Sequence, residues 1–453
     1  MSQHADLLIQ GATIIAPDPK TQALQEQVAD VYVHEKRIVH IGGGYSGAAQ
    51  KILKAHGLFL LPGTIDTQVH FRDPGSPEKE TLMSGTRAAV YGGVTSIFDM
   101  PNTNPPTLSA IDISDKMSRA DGKTWCNYAF YVGASPTNAD RLSELEKLPG
   151  VCGVKMFMGS STGNLVVDDD DTLKKIIKNV KRRMAVHAED NTRLTERKKI
   201  VLENPGHVEL HSEWRDEKTA IIATKKLLHY ARAANCKVHV LHITTAEEVE
   251  ILAKFKDIAT FEITPQHLTL FAPDCYKKLG TLAQMNPPIR ERRHYEALWQ
   301  AVTSGQVDII GSDHAPHTLA EKNKTYPDTP SGMPGVQTIL PLMIHHYLSG
   351  KISLAKVVEL LSRNPAKIFG IKDKGEIKKH YDADLVLIDL KAKKEIKNSW
   401  IQSTCGWTPY DGMVLNGSII ATLVGGEVTM RDDQILGRPL GRPLSFDLSE
   451  LYM

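Results

Sequence analysis

"KVHVLHITT", residues 237–245, holds the transition on which the fold turns. Its β-branched and apolar residues have the character of a strand. Thr245 is followed three residues later by Glu248, the spacing of a helix N-terminal capping box. A helix should therefore begin as soon as the strand ends. His242 falls at that transition.

The pattern repeats. Seven more strand-like segments are "TIDTQVH" (64–70), "VTSIFDM" (94–100), "CNYAFYVGA" (126–134), "CGVKMFM" (152–158), "RMAVHAE" (183–189), "ATFEITPQHL" (259–268) and "VDIIGSDHA" (307–315). Helical patterns lie between most of them, most clearly after 171, 216, 245 and 291. Eight strands alternating with helices predict an α/β fold, a (β/α)8 barrel, over residues 61–370. This span exceeds the roughly 250 residues typical of that fold, so long loops after the strands must take up the excess. A doubly wound open sheet is the competing architecture, but no GxGxxG turn opens a helix after the first strand. Helices at 352–363 and in "NPAKIFG" (364–370) would close the barrel. The flanks, 1–60 and 371–453, carry short alternating strands with glycine turns, such as "ADLLIQGATIIAP" and "ADLVLIDL". They predict one small β-sandwich domain assembled from both ends of the chain.

Composition narrows the function. The chain has 453 residues, 41% hydrophobic and 24% charged, with a net charge of +1. No basic field suggests nucleic acid or a membrane surface. The basic run Lys174 to Arg183 carries Leu173, Ile176, Ile177 and Val180 at helical spacing and reads as the solvated face of a helix. Five scattered cysteines without a CxxC pair argue for a reducing compartment. Residues 1–11, "MSQHADLLIQG", do not read as a signal peptide, and no apolar run reaches membrane-spanning length. A cytoplasmic enzyme with a small-molecule substrate is the expectation, with a homodimer as the base-rate assembly.

In such a barrel the active site lies at the C-terminal ends of the strands. Strand one ends in Gln68, His70 and Arg72. Strand two runs into Asn102. Strand four carries Lys155, strand five ends at His187, strand six at His242, and strand eight at Asp313, with His314 and His317 after it. A lone strand histidine is more often a hydrogen-bonded core residue than a ligand, and a lone aspartate more often a cap. Collected at one rim, they are hard to explain as packing. Imidazole and carboxylate ligands suit zinc or a similar ion, which makes hydroxide available near neutral pH. Lys155 has apolar neighbours on both sides. It either snorkels outward or faces inward as a neutral amine able to take up carbon dioxide as a bridging carbamate. Strand four alone leaves both open; beside the histidines and Asp313 the carbamate is the better reading.

These segments resemble the cyclic-amidase branch of the amidohydrolase superfamily, most closely the dihydroorotases. The likeness rests on "VHFRDPG", "GGVTSIFDMPNTNPPT", "GVKMFMGSSTG", "VHAED", "HVLHITT", "EITPQHL", "NPPIR", "GSDHAPH" and "SGMPGVQT", in order along nearly the whole chain. It implies a zinc enzyme that reversibly closes N-carbamoyl-L-aspartate to L-dihydroorotate in pyrimidine biosynthesis. His70 and Asp313 would bind a buried ion, His187 and His242 a more exposed one, and carboxylated Lys155 would bridge the two. Asp313 would also be the general base and acid. Arg72, Asn102 and Asn286 would hold the substrate, with help from His317 and from backbone around Gly332 to Gly335. The loop 318–335 would be a lid.

Gln68 departs from the family's D-x-H-x-H. It would ligate through its oxygen, hold a water, or leave the buried ion weak or absent, so that one ion per chain is an alternative to two. The competing functions are another cyclic amidase (a dihydropyrimidinase, hydantoinase or allantoinase), a base deaminase on the same barrel, and a non-catalytic homologue serving as structural partner to another enzyme such as a carbamoyltransferase. Gln68 motivates the last of these.

Overall fold

The computed structural model describes residues 4–160 and 165–449. The end of the "GVKMFMGSSTG" segment, residues 161–163, and the first three residues of the chain lie outside them. Eight parallel strands follow one another in sequence order: Thr64–Val69, Val94–Asp99, Asn127–Gly133, Val151–Phe157, Met184–His187, Val238–Val240, Ala259–Ile263 and Ile309–Ile310. The ring closes where Val69 pairs with His314, the His70 N–H donates to the His314 carbonyl at 2.7 Å, and the Ser312 N–H donates to Asp66 Oδ1 at 3.0 Å. The fold is a (β/α)8 barrel with a small β-sandwich domain drawn from both ends of the chain.

That second domain contains a nine-stranded sheet. Phe59–Pro62, just before the barrel, pairs antiparallel with Leu385–Glu395, just after it. The two ends of the chain are thereby laced together around a core that includes Ile14, Val31, Leu60, Leu385 and Leu423. The last described residues leave this sheet. The Tyr128 N–H donates to the Arg442 carbonyl and the Leu444 N–H to the Tyr128 carbonyl, so the segment runs beneath strand three. There Leu444 and Phe446 join Phe98, Tyr131 and Phe369 in an apolar plug at the barrel floor.

Several expected boundaries move. Strand seven stops at Ile263, because Thr264 caps a helix over Pro265–Thr269, with proline in the first turn where its missing N–H costs nothing. Strand eight is two residues long before its polar tail begins. A helix does start after Thr245, whose hydroxyl accepts from the Glu248 N–H at 3.0 Å. The Glu248 carboxylate, however, accepts from the hydroxyls of Thr245 and Thr224, both at 2.9 Å, and ties the helix to its neighbour. The 352–363 region is a short helix over Leu354–Val358 that widens into a π turn at Glu359–Arg363.

Candidate active site

Strand four shows how the site is aimed. Cys152 faces the barrel interior, and alternation would then send residue 155 outward. The register shifts between the Phe130–Val151 and Tyr131–Gly153 pairs, with Gly153 at φ 155°. This bulge reverses the alternation and turns Lys155 inward, where it is 1% exposed and its Nζ sits 4.3 Å from the centre of the Phe157 ring. Burial lowers its pKa to about 7, so a neutral amine is available near neutral pH.

A small cavity opens above Lys155. Gln68, His70, Arg72, Asn102, His187, His242, Asn286 and Asp313 line it with Lys155. The backbones of His242 and Asp313 are left-handed, at φ 38° and 45°, a strained conformation that recurs where side chains are held for function.

The cavity has two sides. On one, His187 Nδ1 lies 3.0 Å from His242 Nε2. His187 Nε2 donates to Glu189 Oε2 at 2.8 Å, so its proton is there and Nδ1 carries a bare lone pair. Glu189 is fully buried and paired with Arg215, whose Nε donates to Glu189 Oε1 at 3.1 Å. Burial would raise the Glu189 carboxyl, but Arg215 and His187 hold it at about 2. Burial pushes His242 well below its usual value, with the His187 and Lys155 charges adding to the effect. His242 Nδ1 is buried without a hydrogen-bond partner.

On the other side, His70 Nδ1 bonds Asn102 Oδ1 at 2.7 Å, and His70 Nε2 lies 3.1 Å from Asp313 Oδ1. Gln68 Nε2 donates to the same Asp313 oxygen at 2.9 Å. Beneath both, Thr67 Oγ1 and His239 Nε2 reach Glu262 Oε2, each at 3.1 Å. Burial raises the Glu262 carboxyl to about 8. Gly311 has no side chain because a Cβ there would lie 2.7 Å from Glu262.

Imidazole nitrogens converging beside a readily neutralised lysine, with buried carboxylates behind, fit a divalent ion. A separate group, Glu217, Glu291 and His294, also brings potential ligand atoms within 4.8 Å, away from the cavity. Its imidazole is already used: Nδ1 accepts from the Ala246 N–H at 3.1 Å and Nε2 bonds Glu217 at 3.2 Å. The cavity is the better metal centre.

Arg72 is 6% exposed, with Nε donating to the Pro316 carbonyl at 3.3 Å. Burial lowers its pKa to about 10, which leaves it a cation at neutral pH. Asn286 Oδ1 bonds His211 Nε2 at 2.9 Å, which turns its amide NH2 toward the cavity. Two expected contacts fall elsewhere. His317 does not line the cavity; its Nε2 lies 3.1 Å from the Ser331 carbonyl and 3.3 Å from Arg72, so it backs Arg72 from behind. The Gly335 N–H donates to His314 Nδ1 at 3.0 Å, and the cavity wall is Ser331 and Gly332 instead. The loop 318–335 is stapled rather than free. Lys322 is fully buried, and its Nζ donates to the carbonyls of Gln284, Pro330 and Gly332 at 2.9–3.1 Å.

Glu189, Arg215, Glu262 and Lys322 escape sequence reasoning. Glu189 stands inside "VHAED", where an acid two residues after a strand histidine was the available signal. Arg215 and Lys322 carry no spacing that links them to the site.

Comparison with known proteins agrees with this geometry. Residues 59–429 match the Amidohydrolase family. The chain is 36% identical over 399 residues to a dihydroorotase of Pyrococcus abyssi, covering 86% of this chain and 88% of that one. It is 32% identical over 430 residues to a dihydroorotase of Methanosarcina mazei, covering 91% and 93%. The L-hydantoinase (dihydropyrimidinase) of Arthrobacter aurescens superposes with a TM-score of 0.92 at 26% identity, over 97% of this chain and all of that one. The chain belongs to the amidohydrolase family, within its dihydroorotase group.

Proposed function

We propose that this cavity catalyses the reversible closure of N-carbamoyl-L-aspartate to L-dihydroorotate. The observation that carries this reading is Arg72, a buried guanidinium on the wall that also holds His70 and Asp313. A planar fork of that kind matches a carboxylate bidentately, and an uncharged ring would have no use for it. Lys155, His187 and His242 would hold a zinc ion, with Lys155 carboxylated. The ion would polarise the reacting carbonyl and lower the pKa of water.

The chain's own groups do the rest. Arg72 orients the substrate carboxylate. Asn102 and Asn286 position the ring amides. In the hydrolytic direction Asp313 takes a proton from the attacking water and delivers it to the leaving nitrogen; in the closing direction it runs the same transfer in reverse. Gln68 holds one Asp313 oxygen, and the other moves the proton. The family is generally metal-dependent, and no helix of the described residues is long and apolar enough to cross a membrane. All five cysteines are free and buried, which supports a reducing compartment.

The test is turnover by zinc-replete protein of dihydroorotate and carbamoyl aspartate, against hydantoin, dihydrouracil and allantoin. Turnover of only the uncharged rings would replace this reading with a hydantoinase. No turnover of any of them, with zinc bound, would leave the structural-partner reading.

A further inference from the structure

His211 is not part of the cavity lining, yet it touches a residue of the wall. It lies in the short helix His211–Trp214, after strand five, and is fully buried. Its Nε2 lies 3.0 Å from the Met285 carbonyl and 2.9 Å from Asn286 Oδ1. A carbonyl oxygen only accepts, so Nε2 carries the hydrogen. Nδ1 is then bare in the neutral ring, and the Tyr326 hydroxyl donates to it at 3.0 Å. Burial lowers the His211 pKa to about 3, which keeps the ring neutral. The rings of Trp214 and Tyr326 meet the imidazole edge-on, with centroids 5.7 and 5.8 Å away, and set its tilt. Tyr326 is anchored in turn, its carbonyl accepting from the Gly206 N–H at 2.7 Å. With a hydrogen on Nε2, the opposite orientation of the Asn286 amide would set donor against donor. Asn286 lines the cavity, so its NH2 is the end offered to a bound molecule.

We infer that His211 is a positioning residue that fixes Asn286 with its amide hydrogens toward the substrate, so that this wall recognises an acceptor oxygen, of a carbonyl or carboxylate, and turns away an N–H group. The segment after strand five supplies His211, the segment after strand seven Asn286, and the loop 318–335 Tyr326. A free asparagine could rotate its amide to suit either kind of group and would discriminate neither. The inference rests on the proposed contact between Asn286 and substrate and deepens it.

A double-mutant cycle on zinc-loaded full-length protein tests it, with dihydroorotate as the probe. Asn286→Ala should raise KM about tenfold and His211→Phe about threefold to tenfold, with kcat nearly unchanged, as expected when a hydrogen bond that serves binding is lost. The double variant should be no worse than Asn286→Ala alone, because His211 acts through that amide. His211→Gln should keep KM within about twofold of the unaltered chain, since its amide nitrogen can donate to the same oxygen. Effects that multiply in the double variant, a His211→Phe that lowers kcat and leaves KM alone, or a folded His211→Gln as poor as His211→Phe overturns the inference. So does an unchanged KM in Asn286→Ala. Should His211→Phe fail to fold, neutron diffraction from deuterium-exchanged crystals of the unaltered protein decides. Deuterium on His211 Nε2, with the deuterated Asn286 nitrogen toward the cavity, supports the inference; a bare Nε2, or the Asn286 oxygen toward the cavity, overturns it. An unaltered chain that turns over no dihydroorotate would instead overturn the functional reading, and the neutron map would still decide how Asn286 is held.

Discussion

His187 and His242 face each other across 3.0 Å with an ion pair, Glu189 and Arg215, behind them. His70 and Asp313 face each other across 3.1 Å with two neutral amides, Gln68 and Asn102, beside them. On the first side the His187 hydrogen is drawn away from the cavity toward Glu189, so its Nδ1 lone pair points inward. On the second side Gln68 points an amide hydrogen at the carboxylate, while His70, whose Nδ1 hydrogen goes to Asn102 Oδ1, faces it with a bare Nε2. Both halves thus offer a bare imidazole nitrogen to a cation, and the second also carries the carboxylate that moves the proton.

The largest effect should come from breaking the proton-moving side. Asp313→Asn should lower kcat by about 10³-fold, within the range for loss of a general acid–base, while zinc content stays unchanged. Loss of the zinc together with activity would mean that Asp313 is chiefly a ligand. Next comes Arg72→Met, which should lower kcat/KM for dihydroorotate about 100-fold and leave any slow turnover of hydantoin untouched, since a charge-assisted pair accounts for roughly 1.5–3 kcal/mol. An equal fall for both substrates would sink the clamp. On the cation side, Glu189→Gln should weaken zinc affinity about 10–100-fold, as seen when the partner of a ligating imidazole is removed. An unchanged affinity in a competition titration would show that Glu189 serves only Arg215.

The smallest effect is a pH dependence. Burial holds Lys155 at about 7 in the metal-free fold, below the 10.5 usual for a lysine. Between those values the unfolded chain carries a proton that the folded chain lacks. The Lys155 contribution to the stability of the metal-free protein should therefore rise with pH through that window, by at most about 1.4 kcal/mol per unit, and be flat below it. Lys155→Met should remove that slope in denaturant titrations. A slope that persists in the variant would assign it to another group.

Much of this comparison was visible in the sequence. Every residue on the two facing pairs lies at or just past a segment readable as a barrel strand, because β-branched runs and helix caps are local signals. The error over residues 264–268 came from the same locality: an apolar run after Thr264 reads as strand until the cap is seen to start a helix. Gly335 lies off the cavity lining because a loop's backbone direction depends on what it packs against, here His314. The loop 318–335 read as a lid because nothing in its composition shows that Lys322 is bound to three carbonyls.

The sequence alone determined the alternating strand and helix order, the split β-domain, and the histidines, lysine, arginine and aspartate available at the rim. Tertiary structure decided which way they face. Lys155 points inward through a one-residue bulge at Gly153. The His187 proton is placed by Glu189, itself held by an arginine 26 residues further along the chain. Gln68 becomes a donor to a carboxylate 245 residues away, a contact that exists only once the first and last barrel strands have closed. Propensity and capping act over a few residues, whereas proton placement is set by whichever groups the closed ring brings together.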